Sequence, residues 1–281
     1  MELFHDPTSV RAWSDDRCRD RRAITLVPTM GALHAGHLAL IDEARRHGDD
    51  VVVSIFVNPL QFNVGADFEG YPRPIDTDLD ACDAANVTAV YAPTAATMYP
   101  QGFQTHVEPG ALADRFEGEH RPGHFRGVTT VVSKLFSAVR PAVAVFGEKD
   151  AQQLAIIRRM TTDLDLGVRI VAMPTIREAD GLALSSRNQR LTPSERIAAT
   201  CIWKGLQAAR RSVSGGLIDA TAITQLVIDE IAREPAATLE YVALVHPGSF
   251  EPMAALTGAA LIIVAVWFGD VRLIDNALVS G

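Results

Sequence analysis

At 281 residues, 48% of them apolar and 21% charged, the chain can bury a full core in one or two domains and is too apolar to be disordered. A formal charge of −8 argues against an extended nucleic-acid surface, though not against a small basic pocket. Cys18, Cys82 and Cys201 are too scattered for a disulfide framework, Met1 to Ser9 shows no signal-peptide pattern, and the longest apolar stretch, Ala259 to Phe268, is too short to span a bilayer; a reducing, cytoplasmic setting with no membrane partner is expected.

Ile24 to Val27 is a short apolar run closed by Pro28, the pattern of a strand, and Leu38 to His47 is an amphipathic run stopped at Gly48, the pattern of a helix. Between them Met30 to His37 reads Met-Gly-Ala-Leu-His-Ala-Gly-His. A strand-to-helix turn presents free backbone N–H groups and the positive end of a helix dipole, which suit a phosphate. His34 and His37 add donors that can be charged or neutral near pH 7. The same two histidines can instead cap and pack the helix, or form half a zinc site; the latter needs further ligands, and no Cys-x-x-Cys pair exists.

Val51 to Val57 is a continuous apolar strand ended by Asn58-Pro59, as in a parallel sheet buried on both faces. Ile75 to Ala85 reads as a helix, Thr88 to Tyr91 as a strand, and Phe125 to Val139 as a helix with Pro141 just beyond. Ala142 to Phe146 is another buried strand, Ala151 to Asp163 a helix, and Val168 to Met173 a closing strand. This alternation predicts a doubly wound α/β sheet, parallel throughout. Ligands of such sheets bind beyond the carboxyl ends of the strands, and the polar segments fall there: after Val27, Val57, Phe146 and Met173. A second region starts near Ile176, with helices over Ser194 to Val213 and Asp219 to Arg233 and strands over Leu239 to Val245, Ala260 to Phe268 and Val271 to Ile274. It reads as a smaller α+β domain.

Gly147-Glu148-Lys149-Asp150 follows a strand and opens a helix. Glycine lets the backbone approach a ligand and Lys149 can reach phosphate; a solvated helix start reads the same way. Leu184-Ser185-Ser186-Arg187-Asn188 offers two hydroxyls and a guanidinium, either a polyphosphate clamp or an exposed loop. Gln61 and Gln153 are amides placed to hydrogen-bond a small polar substrate or to satisfy nearby backbone. Asp76, Asp78 and Asp80 do not share a helical face and read as an acidic first turn; Asp78 is a candidate for contacting a magnesium-bound water.

These segments together resemble the pantoate–β-alanine ligase family (the pantothenate synthetases). The matching stretches are Pro28 to Leu38, Val53 to Phe62, Arg121 to Gly127, Phe146 to Asp150, Arg177 to Asn188 and the ending Arg272-Leu273-Ile274-Asp275-Asn276. Departures are Ala35 where the family commonly has Glu and Leu184 where it commonly has Met, neither removing a needed group. The resemblance implies a Rossmann-like domain over 1–175 and a smaller C-terminal lid domain over 176–281. It implies ligation of pantoate to β-alanine through pantoyl adenylate, with AMP and pyrophosphate released and Mg2+ carried by ATP. Met30, Gly31, Ala32, Leu33, His34, Ala35, Gly36 and His37 would line the ATP site, with His37 as proton donor. Gly147, Glu148, Lys149 and Asp150 would hold adenosine and phosphates, Lys149 as the main cation, and Ile176, Leu184, Ser185, Ser186 and Arg187 would complete the site. Gln61 and Gln153 would hold pantoate, Gln61 also lying near β-alanine. No metal is bound by the protein itself, and a homodimer is expected.

The His-x-Gly-His turn is shared with nucleotidylyltransferases, whose phosphorylated acceptors call for extra cations; here the acceptor candidates are the amides Gln61 and Gln153. An aminoacyl-tRNA synthetase would need a basic, anticodon-reading region. A non-catalytic nucleotide sensor would have little need for His34, His37, Lys149 and Arg187 together.

Overall fold

The β-branched runs pair into one parallel sheet because each is apolar on both faces. In the computed structural model, which describes residues 1–62 and 68–281, the strands are β1 (Glu2–Phe4), β2 (Ile24–Thr29), β3 (Asp50–Ile55), β4 (Ala89–Tyr91), β5 (Val143–Gly147) and β6 (Arg169–Met173), in the order β1-β4-β3-β2-β5-β6. All five pairings are parallel. The order leaves β2 in two directions, toward β3 and toward β5. The carboxyl end of β2 is thus a topological switch point, where doubly wound sheets hold their ligands.

Successive residues of β2 and β3 serve opposite faces. Ile24, Leu26 and Val52 pack with Val10 and Trp13 of α1 (Pro7–Arg19), while Val27, Val51 and Val53 pack with Ile41 and Ala44 of α2 (Ala35–Ala44). Cys82 of α3 (Ile75–Ala84) joins the second face. Leu135 of α4 (His124–Val139) and Ile157 of α5 (Ala151–Asp163) join the first. The expected doubly wound sheet is therefore the observed one. The periodicity did not announce β1 and α1: β1 has three residues, and α1 is largely polar, burying only Val10, Trp13 and Ser14.

The residues divide into two compact units, Met1–Glu148 with Gln152–Pro174, and Lys149–Ala151 with Thr175–Gly281. In the second, β7 (Ala237–Val245), β8 (Ala259–Phe268) and β9 (Val271–Ser280) form an antiparallel sheet in chain order. Ile202 and Leu206 of α7 (Thr200–Ser214), with Ile223 and Val227 of α8 (Ala220–Ala232), share a core with Ile262, Val264 and Phe268 of β8. The helix expected over 194–213 is two pieces, α6 (Pro193–Ala198) and α7, separated at Ala199. Strand β9 runs to Ser280, well past the expected end at Ile274. Asp275 and Asn276 look like a strand terminus in sequence, yet both are buried inside the strand.

Candidate active site

At the end of β2 the chain makes a sharp entry into α2. Thr29 Oγ1 donates to the Ser54 carbonyl at 2.7 Å and accepts from Gly31 N at 3.2 Å. Gly31 and Ala32 then adopt left-handed conformations with φ of +80° and +51°. Two such residues in succession, one of them alanine, store backbone strain that surroundings must hold. Asp78 holds it: its carboxylate accepts from Ala32 N at 2.8 Å and Leu33 N at 2.7 Å. A Cβ at position 31 would lie 2.8 Å from Asp78 Oδ2, so the close approach also requires glycine. Asp78 is a buried anchor of this turn, both of its oxygens accepting from backbone amides. Asp76 and Asp80 are exposed, and among the described residues no group of three or more His, Cys, Asp or Glu side chains could hold a metal ion.

The two histidines cap the helix. His34 is the N-cap, its Nδ1 accepting from Gly36 N at 3.1 Å, and His37 Nδ1 accepts from His34 N at 3.3 Å. This is a capping box written in imidazoles. Helix α2 therefore begins at Ala35, three residues before the expected Leu38, and His37 lies within its first turn. The ring centroids are 4.1 Å apart. Because each Nδ1 accepts a hydrogen bond, the proton of each neutral ring resides on Nε2. The expectation of free turn amides is also revised, since the N–H groups of Gly31, Ala32, Leu33, His34 and Gly36 all have acceptors within the protein. The donors that the two neutral rings bring to the positive end of the α2 dipole are therefore their Nε2–H groups.

Beyond β3, Asn58 caps the short turn Pro59–Gln61 and is 1% exposed. Its Nδ2 donates to Gln61 Oε1 at 2.9 Å and to the Gly127 carbonyl at 3.1 Å, while the Tyr99 hydroxyl donates to its Oδ1 at 2.7 Å. Burial pushes the Tyr99 phenol pKa up, keeping it a donor. With its oxygen taken by Asn58, the Gln61 amide points its Nε2 at the Met30 sulfur, 3.1 Å away. An expected substrate residue, Gln61, thus meets an expected nucleotide residue, Met30, beyond the neighbouring ends of β2 and β3. The Gln61 carbonyl is held by His124 Nδ1 at 2.9 Å. Gln152 clamps the stretch before α4, donating to the Leu112 and Arg115 carbonyls and accepting from Glu117 N. Its neighbour Gln153 is half-buried and outside that clamp.

Gly147 and Glu148 end the first unit's β5 segment, and an added Cβ at Gly147 would meet no atom within 4 Å. In the second unit, Lys149 is half-buried and Asp150 exposed. Leu184 N donates to the Ile176 carbonyl at 2.9 Å, pairing two expected nucleotide residues across a small loop bridged at Arg177 and Ala183. Ser185 caps the turn Ser186–Arg190 by accepting from Arg187 N, so this hydroxyl shapes the turn; Ser186 and Arg187 are half-buried on it. Two residues that organise these segments, Asp78 and Asn276, were not singled out from the sequence for that role. The one signal available was a polar residue where an apolar one would be expected.

The model of the family described as pantoate-beta-alanine ligase matches residues 2–278. The pantothenate synthetase of Heliobacterium modesticaldum is 50% identical over 280 residues, all of both chains. A crystal structure of the Thermus thermophilus pantothenate synthetase superposes with a TM-score of 0.94 at 43% identity, covering 99% of each chain. The Francisella tularensis pantoate-beta-alanine ligase, complexed with β-γ ATP and β-alanine, gives 0.82 at 33% identity, covering 99% of this chain and 97% of that one. No helix among the described residues is long and apolar enough to cross a membrane. A switch-point turn capped by two histidines, in a chain matched from end to end, makes this protein a member of the pantoate–β-alanine ligase family.

Proposed function

We propose that the chain joins pantoate to β-alanine by the two-step, ATP-dependent chemistry of its family. The pantoate carboxylate attacks the α-phosphorus of ATP and pyrophosphate leaves, giving pantoyl adenylate. The β-alanine amine then attacks the acyl carbon, AMP leaves, and the amine loses a proton as pantothenate forms. A carboxylate is a poor acyl donor, and adenylation gives it a good leaving group. The first step builds charge on phosphate oxygens, so it needs preorganised donors in place of a protein nucleophile. Mg2+ enters with ATP as part of the substrate.

The observation that carries this reading is the His34–His37 pair at the α2 N-terminus, both Nε2 atoms being donors. We assign Met30 to His37, Gly147 to Asp150, Ile176 and Leu184 to Arg187 to ATP, with Lys149 as the main cation, His34 and His37 stabilising the developing charge as hydrogen-bond donors, and His37 the proton donor. Gln61, oriented by Asn58, and Gln153 are assigned to pantoate. A homodimer in the cytoplasm is part of the same reading. The test is exchange of labelled pyrophosphate into ATP. Pantoate alone should drive it without β-alanine, and adding β-alanine should release AMP and pantothenate. A strict need for β-alanine in exchange would overturn the stepwise order, and release of ADP would replace the adenylate with an acyl phosphate.

A further inference from the structure

The segment Asp275-Asn276 has no part in the chemistry above, yet both residues are buried and hydrogen-bonded within the second unit's sheet. Asp275 and Asn276 are 4% and 8% exposed in the middle of β9. Asp275 receives both arms of the Arg177 guanidinium, at 2.6 and 2.9 Å, and also accepts from Asn276 N at 2.8 Å. Such a fork-to-fork pair is geometrically specific. Arg177 further donates to the Gly181 carbonyl at 3.0 Å, and its guanidinium stacks on Trp203 at 3.7 Å from the ring centre. Gly181, at φ +93°, lies so close to Trp203 that a Cβ there would sit 1.8 Å from the ring. The start of the Ile176–Arg187 loop is thereby pinned to β9. From the adjacent residue, Asn276 Nδ2 donates to the Lys149 carbonyl at 3.0 Å. One buried node thus fixes the backbone of two segments that carry proposed nucleotide residues.

We propose that Asp275 and Asn276 are positioning residues for the nucleotide. They set the Lys149 backbone and the Ser185–Arg187 turn in one fixed arrangement, and through it the placement of cationic side chains on the triphosphate. The proposal rests on the assignment of Lys149 to ATP. Neither residue touches the reacting atoms; their effect is on aim, where a displacement of about 1 Å can cost on the order of a hundredfold in rate.

The experiment is a double-mutant cycle on the full-length protein, with single-turnover adenylate formation from ATP, Mg2+ and pantoate as one readout. The other is hydrogen exchange of the 147–153 backbone followed by mass spectrometry. Asn276→Ala removes the donor to Lys149, and Asn276→Asp keeps the size while replacing the NH2 with an acceptor. Both should slow adenylation, counted per folded molecule, by roughly tenfold or more and speed exchange at 147–153 beyond any change elsewhere in the chain. In a Lys149→Ala background either change should cost less than about twofold more, because the two residues act through one placement. Independent, multiplying effects, or exchange at 147–153 unchanged in both variants, would overturn the proposal. If the parent protein forms no adenylate from pantoate, the functional reading fails instead, and the exchange comparison still decides whether Asn276 holds the Lys149 segment.

Discussion

At the scale of single residues, hydrogen-bond direction decides more than residue type. His34 and His37 each accept at Nδ1 from the turn's own backbone, which leaves Nε2 as the donor in the neutral ring. Removing one preorganised donor to a charge-building transition state typically costs on the order of a hundredfold or more. His37→Ala and Lys149→Ala should each slow single-turnover adenylation by that order, and an unchanged rate in either variant would remove that residue from the charge-stabilising set. The glutamines separate in the same way. Gln152 is bound on three sides by the segment it clamps, whereas Gln153 stands outside that clamp. Losing one neutral hydrogen bond costs about 0.5–1.5 kcal/mol, more if its partner stays buried. Gln153→Ala should therefore raise the KM for pantoate by roughly tenfold with ATP affinity little changed. Titration with ATP alone and then with pantoate checks this, and a collapse of ATP affinity would move Gln153 to the nucleotide.

At the scale of elements, the turn between β2 and α2 is the strained piece. Gly31 and Ala32 are both left-handed, and the Asp78 carboxylate at the start of α3 grips the two amides that follow. Asp78→Asn keeps the volume but can accept from one amide only, its NH2 facing the other. An unsatisfied buried amide costs about 1–3 kcal/mol, enough for the strained turn to relax. Adenylation should fall by at least about tenfold, by a larger factor than the fraction of folded protein, measured together by circular dichroism and single-turnover assay. Full activity in Asp78→Asn would mean that the turn keeps its form without the carboxylate. The helix boundary at Ala35 has the same origin: the cap is made by histidines, which a search for Ser, Thr, Asp or Asn before an apolar run passes over.

At the scale of the whole molecule, two units place their own site segments by different means. The parallel sheet does it through strand order, with β2 at the reversal. The second unit does it through charge, the Arg177–Asp275 pair inside and Arg196 bridging Glu178 and Asp180 nearer the surface. The hydrogen bond from Arg196 holds the Asp180 carboxyl below its ordinary value of 3.8. A carboxylate lowered on folding contributes stability above its unfolded pKa and loses that contribution as pH falls through the folded one. Half-exposed pairs of this kind are worth up to about 1 kcal/mol. Arg196→Met should thus be modestly less stable at neutral pH, and the gap from the parent should close below about pH 4. Urea unfolding across that range checks it; a gap that stays constant with pH would mean that the loss comes from packing.

The alternation of apolar runs was enough to specify the doubly wound sheet, because strands buried on both faces leave their mark in local composition, and the short motifs at the strand ends were enough to specify the family. Local pattern failed where the deciding contact is distant in sequence. Asp78 meets Ala32 across 46 positions and Asn276 meets Lys149 across 127, and neither bond has a periodicity to betray it. Asp275 and Asn276 looked like the end of a strand because polar residues leave water only when partners await them. Arg177 and Lys149 are those partners, and only the folded chain brings them there.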